Sequence, residues 1–126
     1  MITIELPWPD KRLSPNSRCH WREKAEASYS ANWIGTSMAL DERKVGVGNY
    51  RKVVRNNELF EAIYIFHPPD NRRRDIDNCL AMMKPYQDGV CAGIEIDDYR
   101  IKRTVLEWGE VVKGGKVVLR LEEMTE

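Results

Sequence analysis

Residues 59–94, LFEAIYIFHPPDNRRRDIDNCLAMMKPYQDGVCAGI, change their apolar rhythm once, and the change decides the fold. Leu59 to His67 is almost continuously aromatic, apolar or β-branched, which predicts a strand covered on both faces and ended by Pro68-Pro69. Beyond the arginines, Ile76, Leu80, Met83, Val90 and Ile94 recur at three, four and seven. That spacing predicts a helix with one buried stripe from about Asp77 to Ala92. Pro85 removes a backbone donor inside it, which predicts a kink or two abutting helical segments.

Upstream, ITIEL (residues 2–6) alternates as a short strand before the turn-rich PWPDKRLSPNS. From about His20, Trp21, Ala25, Tyr29, Trp33, Ile34 and Met38 follow helical spacing to about Arg43, with Ser17 or Asn16 as candidate caps. KVGVGNYRKVVRNN has no period and reads as a basic connection. Downstream, RIKRTVLEWGEV and KVVLRLEEM predict two strands joined by Lys113-Gly114-Gly115 as a hairpin. The expected architecture is α+β: a small mixed sheet of about four strands with two main helices, in the order β-α-β-α-β-β, as one domain over residues 1–126.

No run of eighteen apolar residues exists, and the N-terminus lacks a basic flank and apolar core, so neither membrane insertion nor secretion is indicated. Cys19, Cys79 and Cys91 form an odd set without a C-x-x-C pair, which argues against a disulfide framework and a cysteine zinc site and fits a reducing cytoplasm. The net charge of zero conceals a separation. Residues 1–74 carry thirteen Lys and Arg against nine Asp and Glu, and residues 75–126 carry seven against eleven. A basic half suits phosphates, while the acidic half opens with DIDN.

Asp75 and Asp77 share a face only on extended backbone, since on a helix they diverge by about 200°. The pair therefore belongs where loop turns into helix. From Asp77, positions seven and eleven residues on return to its face to within about 20°; they are Lys84 and Asp88, with the small Ala81 between. Asp97-Asp98 occupy a polar turn before the next strand. If the chain folds back on Asp75 and Asp77, several carboxylates share a small volume. Two charges about 4 Å apart repel by roughly 4 kcal/mol at an effective dielectric of 20, so such a cluster calls for a hard cation. Mg²⁺, held by carboxylates, waters and phosphate oxygens, has that character. Asn78 is a candidate for the scissile phosphate, a ligand or the helix N-terminus. Asp75 as a cap, Asp97-Asp98 as solvated turn residues and Asp88 as an i,i+4 partner of Lys84 are the structural alternatives.

The order RRRDIDN, then KPYQD, then IDD, resembles the RusA family of Holliday junction resolvases, as do LPWPDKRLSPNSRCHW and KGGKVVLRLEEM. The resemblance covers most of the chain. It implies a homodimeric, Mg²⁺-dependent endonuclease that nicks a four-way DNA junction symmetrically in recombination and repair, with Mn²⁺ as a substitute and no small-molecule substrate. Asp75, Asp77 and Asp98 match the family's metal-binding carboxylates, with Asp97 as neighbour. Lys84 matches its catalytic lysine if extra residues within CLAMM separate DN from the lysine, and Asp88 matches the acidic residue four further on. Arg72, Arg73 and Arg74 then stand where phosphates approach, and Lys44, Arg51, Lys52 and Arg55 form a candidate phosphate-binding loop. Trp8 and Trp21 are candidates to stack on junction bases, whereas Trp33 and Trp108 are expected in the core. His20 and His67 lack a ligand set, and His67 at its strand end reads as structural. The competing functions are a junction-binding protein without catalysis and a less selective metal-dependent nuclease.

Overall fold

The computed structural model describes residues 2–45 and 58–124. In chain order the elements are β1 (Ile2–Pro7), α1 (Trp21–Val45), β2 (Phe60–His67), α2 (Ile76–Ile94), β3 (Ile101–Trp108) and β4 (Lys116–Glu123), with short 3-10 turns at Lys11–Leu13 and Asp98–Arg100. The α+β class, the mixed sheet of four strands and the β-α-β-α-β-β order all follow the periodicities.

The sheet order is β1-β4-β2-β3. β4 runs antiparallel to both β1 and β2, and β2 pairs in parallel with β3. The expected hairpin does not form. Gly114 and Gly115 do take positive φ, 82° and 72°, as a tight turn requires. That turn, however, carries the chain past β2 so that β4 enters between β2 and β1. The reason is burial: β2 is apolar on both faces and lies inside the sheet with a neighbour on each side, which leaves β3 at the edge.

One sheet face presents Ile4, Leu6, Leu119, Leu121, Phe60, Tyr64 and Phe66 to the helices, and α2 answers with Met83, Val90 and Ile94. α2 is one helix with Pro85 inside it, so the two-segment alternative is not realised. At α1, His20 rather than Ser17 or Asn16 serves the N-terminus: its Nδ1 accepts from the Arg22 N–H at 3.1 Å.

The two helices approach to backbone contact. α1 offers Ala27, Ala31, Gly35 and Ala39, all buried and four residues apart. A methyl group at Gly35 would lie 2.2 Å from the Tyr86 carbonyl oxygen, and one at Gly89 only 2.0 Å from that of Asn32. Thr36 Oγ1 donates across the seam to the Gly89 carbonyl at 3.0 Å. This small-residue stripe takes the inward position expected for the aromatic one. Trp33 is 66% exposed, and Trp108 lies half-exposed against Phe66 at the sheet edge; neither is a core residue. Trp21 is also exposed.

Candidate active site

α2 begins as the sequence pattern requires. Asp75 has extended backbone (φ −90°, ψ 126°) and Ile76 opens the helix, so Asp75 and Asp77 straddle the loop-to-helix transition. Asp75 stands at the N-cap position, yet its side chain makes no cap hydrogen bond. The capping alternative is thereby removed, and the carboxylate is left facing outward with Asp77, in the first turn, near the positive end of the helix.

At its other end, α2 closes with Glu95 in the left-handed region (φ 60°), and the Ile96 N–H returns to the Cys91 carbonyl at 3.0 Å. This reversal brings the Asp97-Asp98 turn back beside the helix. Lys84 Nζ lies 2.6 Å from Asp98 Oδ2 and 2.9 Å from Asp88 Oδ1. One ammonium thus joins carboxylates from two elements. Lys84 and Asp88 do share a face, and the i,i+4 pair expected as a structural alternative forms within a larger cluster. Asp98's carboxyl is held below its ordinary range, chiefly by the hydrogen bond from Lys84, and the paired carboxylates push the Lys84 ammonium's pKa upward.

Asp77 lies about 10 Å along the helix axis from Lys84, at 1.5 Å per residue. Helical side chains lean toward the N-terminus, so Lys84 reaches into part of that interval. Two buried thiols record the two acidic groups from below. Cys91 is pushed up to about 12 by burial, reinforced by Asp98 and Asp88. Cys79 is raised by burial too, with Arg74 opposing and Asp75 and Asp77 adding to the rise. Both thiols stay protonated at neutral pH. Tyr64, deep in β2, donates to Gln87 Oε1 at 2.5 Å, and Tyr86 accepts from the Asp10 N–H at 3.1 Å, which fixes α2 to the sheet and to the N-terminal loop.

The three arginines part company. Arg74 is held inward: it donates to Asp70 Oδ1 at 2.7 Å, to the Asp70 and Arg72 carbonyls, and its guanidinium covers Trp8 at 5.4 Å. These contacts order the loop, and Arg74 also lines the cleft described next. Arg72 is largely exposed, with a loose contact to Asp70 at 3.5 Å. Arg73 is exposed and has no ion-pair partner among the described residues. It lines a cleft of about 390 Å³ with Trp8, Lys11, Asp75, Asn78 and Met82. Trp8, clamped between Arg74 and Phe66, is a wall of that cleft and not a free stacking platform. Asp70, which organises the loop, was not among the expected residues; its spacing to Arg72 and Arg74 was the available signal.

Of the candidate basic loop, Arg51, Lys52 and Arg55 and the side chain of Lys44 lie outside the described residues. His67 is structural as expected, its Nδ1 2.9 Å from the Glu110 carbonyl oxygen.

Among the described residues, no three His, Cys, Asp or Glu side chains stand close enough to hold one ion. Carboxylate oxygens, the donors a hard divalent cation takes, stand at the head of α2 and at the turn after it, and the Lys84 ammonium bridges Asp98 of that turn to Asp88 within α2. No helix among the described residues is long and apolar enough to cross a membrane.

No protein-family model matches the chain. An uncharacterized protein of Xylella fastidiosa (strain Temecula1 / ATCC 700964) is 35% identical over 126 residues, a match that spans 100% of this chain and 79% of that relative. The chain belongs to the same family as this Xylella fastidiosa protein.

Proposed function

We propose that this chain is a Mg²⁺-dependent, structure-selective endodeoxyribonuclease of the RusA kind, which resolves four-way DNA junctions by paired symmetric nicks in recombination and repair in the cytoplasm. The observation that carries the reading is Lys84 drawn onto Asp88 and Asp98 at 2.9 and 2.6 Å, on the helix whose head holds Asp75 and Asp77 without capping or ion-pair partners among the described residues. Carboxylates kept for stability would be consumed by caps and salt bridges. These two are not.

Asp75, Asp77 and Asp98, with Asp97 adjacent, would supply the oxygen donors for Mg²⁺ or Mn²⁺. Such an ion would supply polarisation of a phosphoryl oxygen and a lowered pKa for a bound water. Arg73 and Arg72 offset the repulsion between an approaching phosphate and these carboxylates. Asn78, beside Asp75 and Arg73 in the cleft, orients the scissile phosphate. Lys84, released from Asp98 and still held by Asp88, places its ammonium where negative charge develops on phosphate oxygens. Two protomers, each with one site, match the pseudo-symmetric substrate.

The second reading, a junction-binding protein without catalysis, draws on the same contact: a Lys84–Asp98 pair that never opens is a structural ion pair. Cleavage of an end-labelled synthetic four-way junction and a matched linear duplex, in Mg²⁺ or EDTA, with native protein and Asp77→Asn, decides between them. Symmetric, metal-dependent nicking of the junction, lost in a folded Asp77→Asn, is the expected result. Tight binding without cutting transfers the case to the binding protein, and equal cutting of duplex reduces it to a less selective nuclease.

A further inference from the structure

The turn-rich segment after β1 and the arginine loop before α2 are built alike. In the first, both carboxylate oxygens of Asp10 accept from the Arg12 guanidinium, at 2.9–3.2 Å. In the second, Asp70 accepts from Arg74 at 2.7 Å. Each loop neutralises its own carboxylate and leaves a further cation unpaired. Those cations are Lys11 and Arg73, both exposed, without an ion-pair partner among the described residues, and both lining the cleft of about 390 Å³.

Much of the remaining wall is apolar, formed by Trp8, Pro9, Cys79 and Met82. Pro9 and Cys79 are buried, and Trp8 is fixed by Arg74 over its ring and by a T-shaped contact with Phe66 at 6.3 Å. A rigid apolar wall with a few charged groups at hand has the character of a small-ligand site, and such sites span roughly 300–1,000 Å³. Asp75 is the one carboxylate of that wall among the described residues, against Lys11, Arg73 and Arg74, so the cleft favours an anion. A deoxynucleotide of about 20 heavy atoms fills roughly 300–350 Å³ at interior packing density, and a base pair with both backbones about twice that. One nucleotide fits; a base pair does not.

We propose that this cleft is a subsite for one unstacked deoxynucleotide, with its base against Trp8, Cys79 and Met82 and its phosphate on Lys11 and Arg73. The source of that nucleotide rests on the nuclease reading: it belongs to the scissile strand, next to the phosphate that Asn78 meets, because Asp75 and Asn78 line the same cleft. A base inside a duplex must give up its stack and its partner to enter. A base at a branch point has already lost part of both, and extrusion costs least for such nucleotides. The cleft thereby favours a junction over linear duplex before any bond is cut. Lys11 and Ser14, on the segment after β1, thus join the residues that select the substrate.

Binding of 2′-deoxynucleoside 5′-monophosphates to the native chain in EDTA tests it, followed by NMR at the tryptophan indole N–H signals, with the matching nucleosides and inorganic phosphate as comparisons. The expected result is a saturable shift of the Trp8 signal with a Kd below about 1 mM, while those of Trp21 and Trp33 stay in place. Nucleoside or phosphate alone should bind at least about tenfold more weakly, since each keeps only one half of the contacts. Lys11→Ala and Arg73→Ala should each weaken binding about three- to tenfold. Both residues are exposed and unpaired, so these variants fold. Ser14→Phe, which fills the cleft from its rim, should abolish binding, with circular dichroism to establish its fold. In EDTA, native chain should also raise the fluorescence of 2-aminopurine at the branch point of a four-way junction, and Lys11→Ala/Arg73→Ala should not.

A Trp8 signal unmoved by any mononucleotide at 5 mM, above the roughly 1 mM expected, overturns the subsite. Phosphate binding as tightly as mononucleotide overturns the place of the base, and unchanged affinity in Lys11→Ala/Arg73→Ala overturns the place of the phosphate. Junction cutting by a chain whose Trp8 signal ignores mononucleotides overturns the subsite alone. Mononucleotide binding and a 2-aminopurine rise without cutting uphold the subsite and overturn the nuclease.

Discussion

Gly89→Ala tests the scaffold that carries the site. A methyl group there would lie 2.0 Å from the Asn32 carbonyl oxygen and 2.9 Å from the Thr36 nitrogen. Ordinary contact needs more than about 3.2 Å, so one helix must retreat by about 1 Å, and both obstacles are helix backbone that no rotamer change can move. Overpacking of this kind costs about 3 kcal/mol, at the upper end of its usual range. Loss of the Thr36–Gly89 hydrogen bond adds about 1 kcal/mol, and the better helix propensity of alanine returns a similar amount. The net is about 3 kcal/mol, or roughly 10 °C in Tm for a chain of this size. Urea denaturation followed by circular dichroism should show a lower midpoint with an unchanged slope. Gly114→Ala is the comparison: nothing lies within 4 Å of the added methyl, and only the positive φ is strained, at about 1 kcal/mol. A Gly89→Ala variant that melts within 2 °C of the native chain, where roughly 10 °C is expected, would refute backbone contact between α1 and α2.

Lys84→Met should lower stability between about pH 5 and 9, with the deficit narrowing at both ends. Asp98's depressed carboxyl contributes stability present above the unfolded carboxylate range and lost as pH falls through its folded value. The raised Lys84 contributes below the unfolded lysine range and fades as pH rises through its folded value. A deficit independent of pH in urea titrations would contradict this pairing. Cys19, partly exposed, should react with a thiol reagent in the native state well before Cys79 and Cys91, which are buried and raised; equal rates would mean the α2 core opens freely. Arg74→Ala should lower Tm by several degrees through loss of the Asp70 contacts and the Trp8 cover, whereas Arg73→Ala should leave Tm within about 2 °C and weaken junction binding in a salt-dependent manner. Equal melting of the two variants would remove the division of labour between these arginines.

The local rhythm of the chain determined which segments became strands and helices. A period of two or a continuous apolar run, and a period near 3.6, are properties of neighbouring residues, so β2 and α2 could be read within a few positions of their ends. The shared face of Asp77, Lys84 and Asp88 was legible for the same reason. Pairing was not, because strands find partners by burial across the whole molecule: the Gly114-Gly115 turn was real, and the hairpin it suggested was not. α1 shows the limit most clearly. It carries two stripes with the same period, and hydrophobicity favours the aromatic one for the core. Close approach of the two helices, at Gly35 against Tyr86, at Gly89 against Asn32 and at Gly93 against Ala39, leaves no room for rings at the seam, so the small residues Ala27, Ala31, Gly35 and Ala39 are buried and the rings turned outward. The contact of Lys84 with Asp98 likewise required the left-handed turn at Glu95, whose backbone no periodicity announces. Sequence determined the elements and the residues available on each face; tertiary packing decided which faces meet, because a methyl group at a helix crossing weighs more than the hydrophobicity of a stripe.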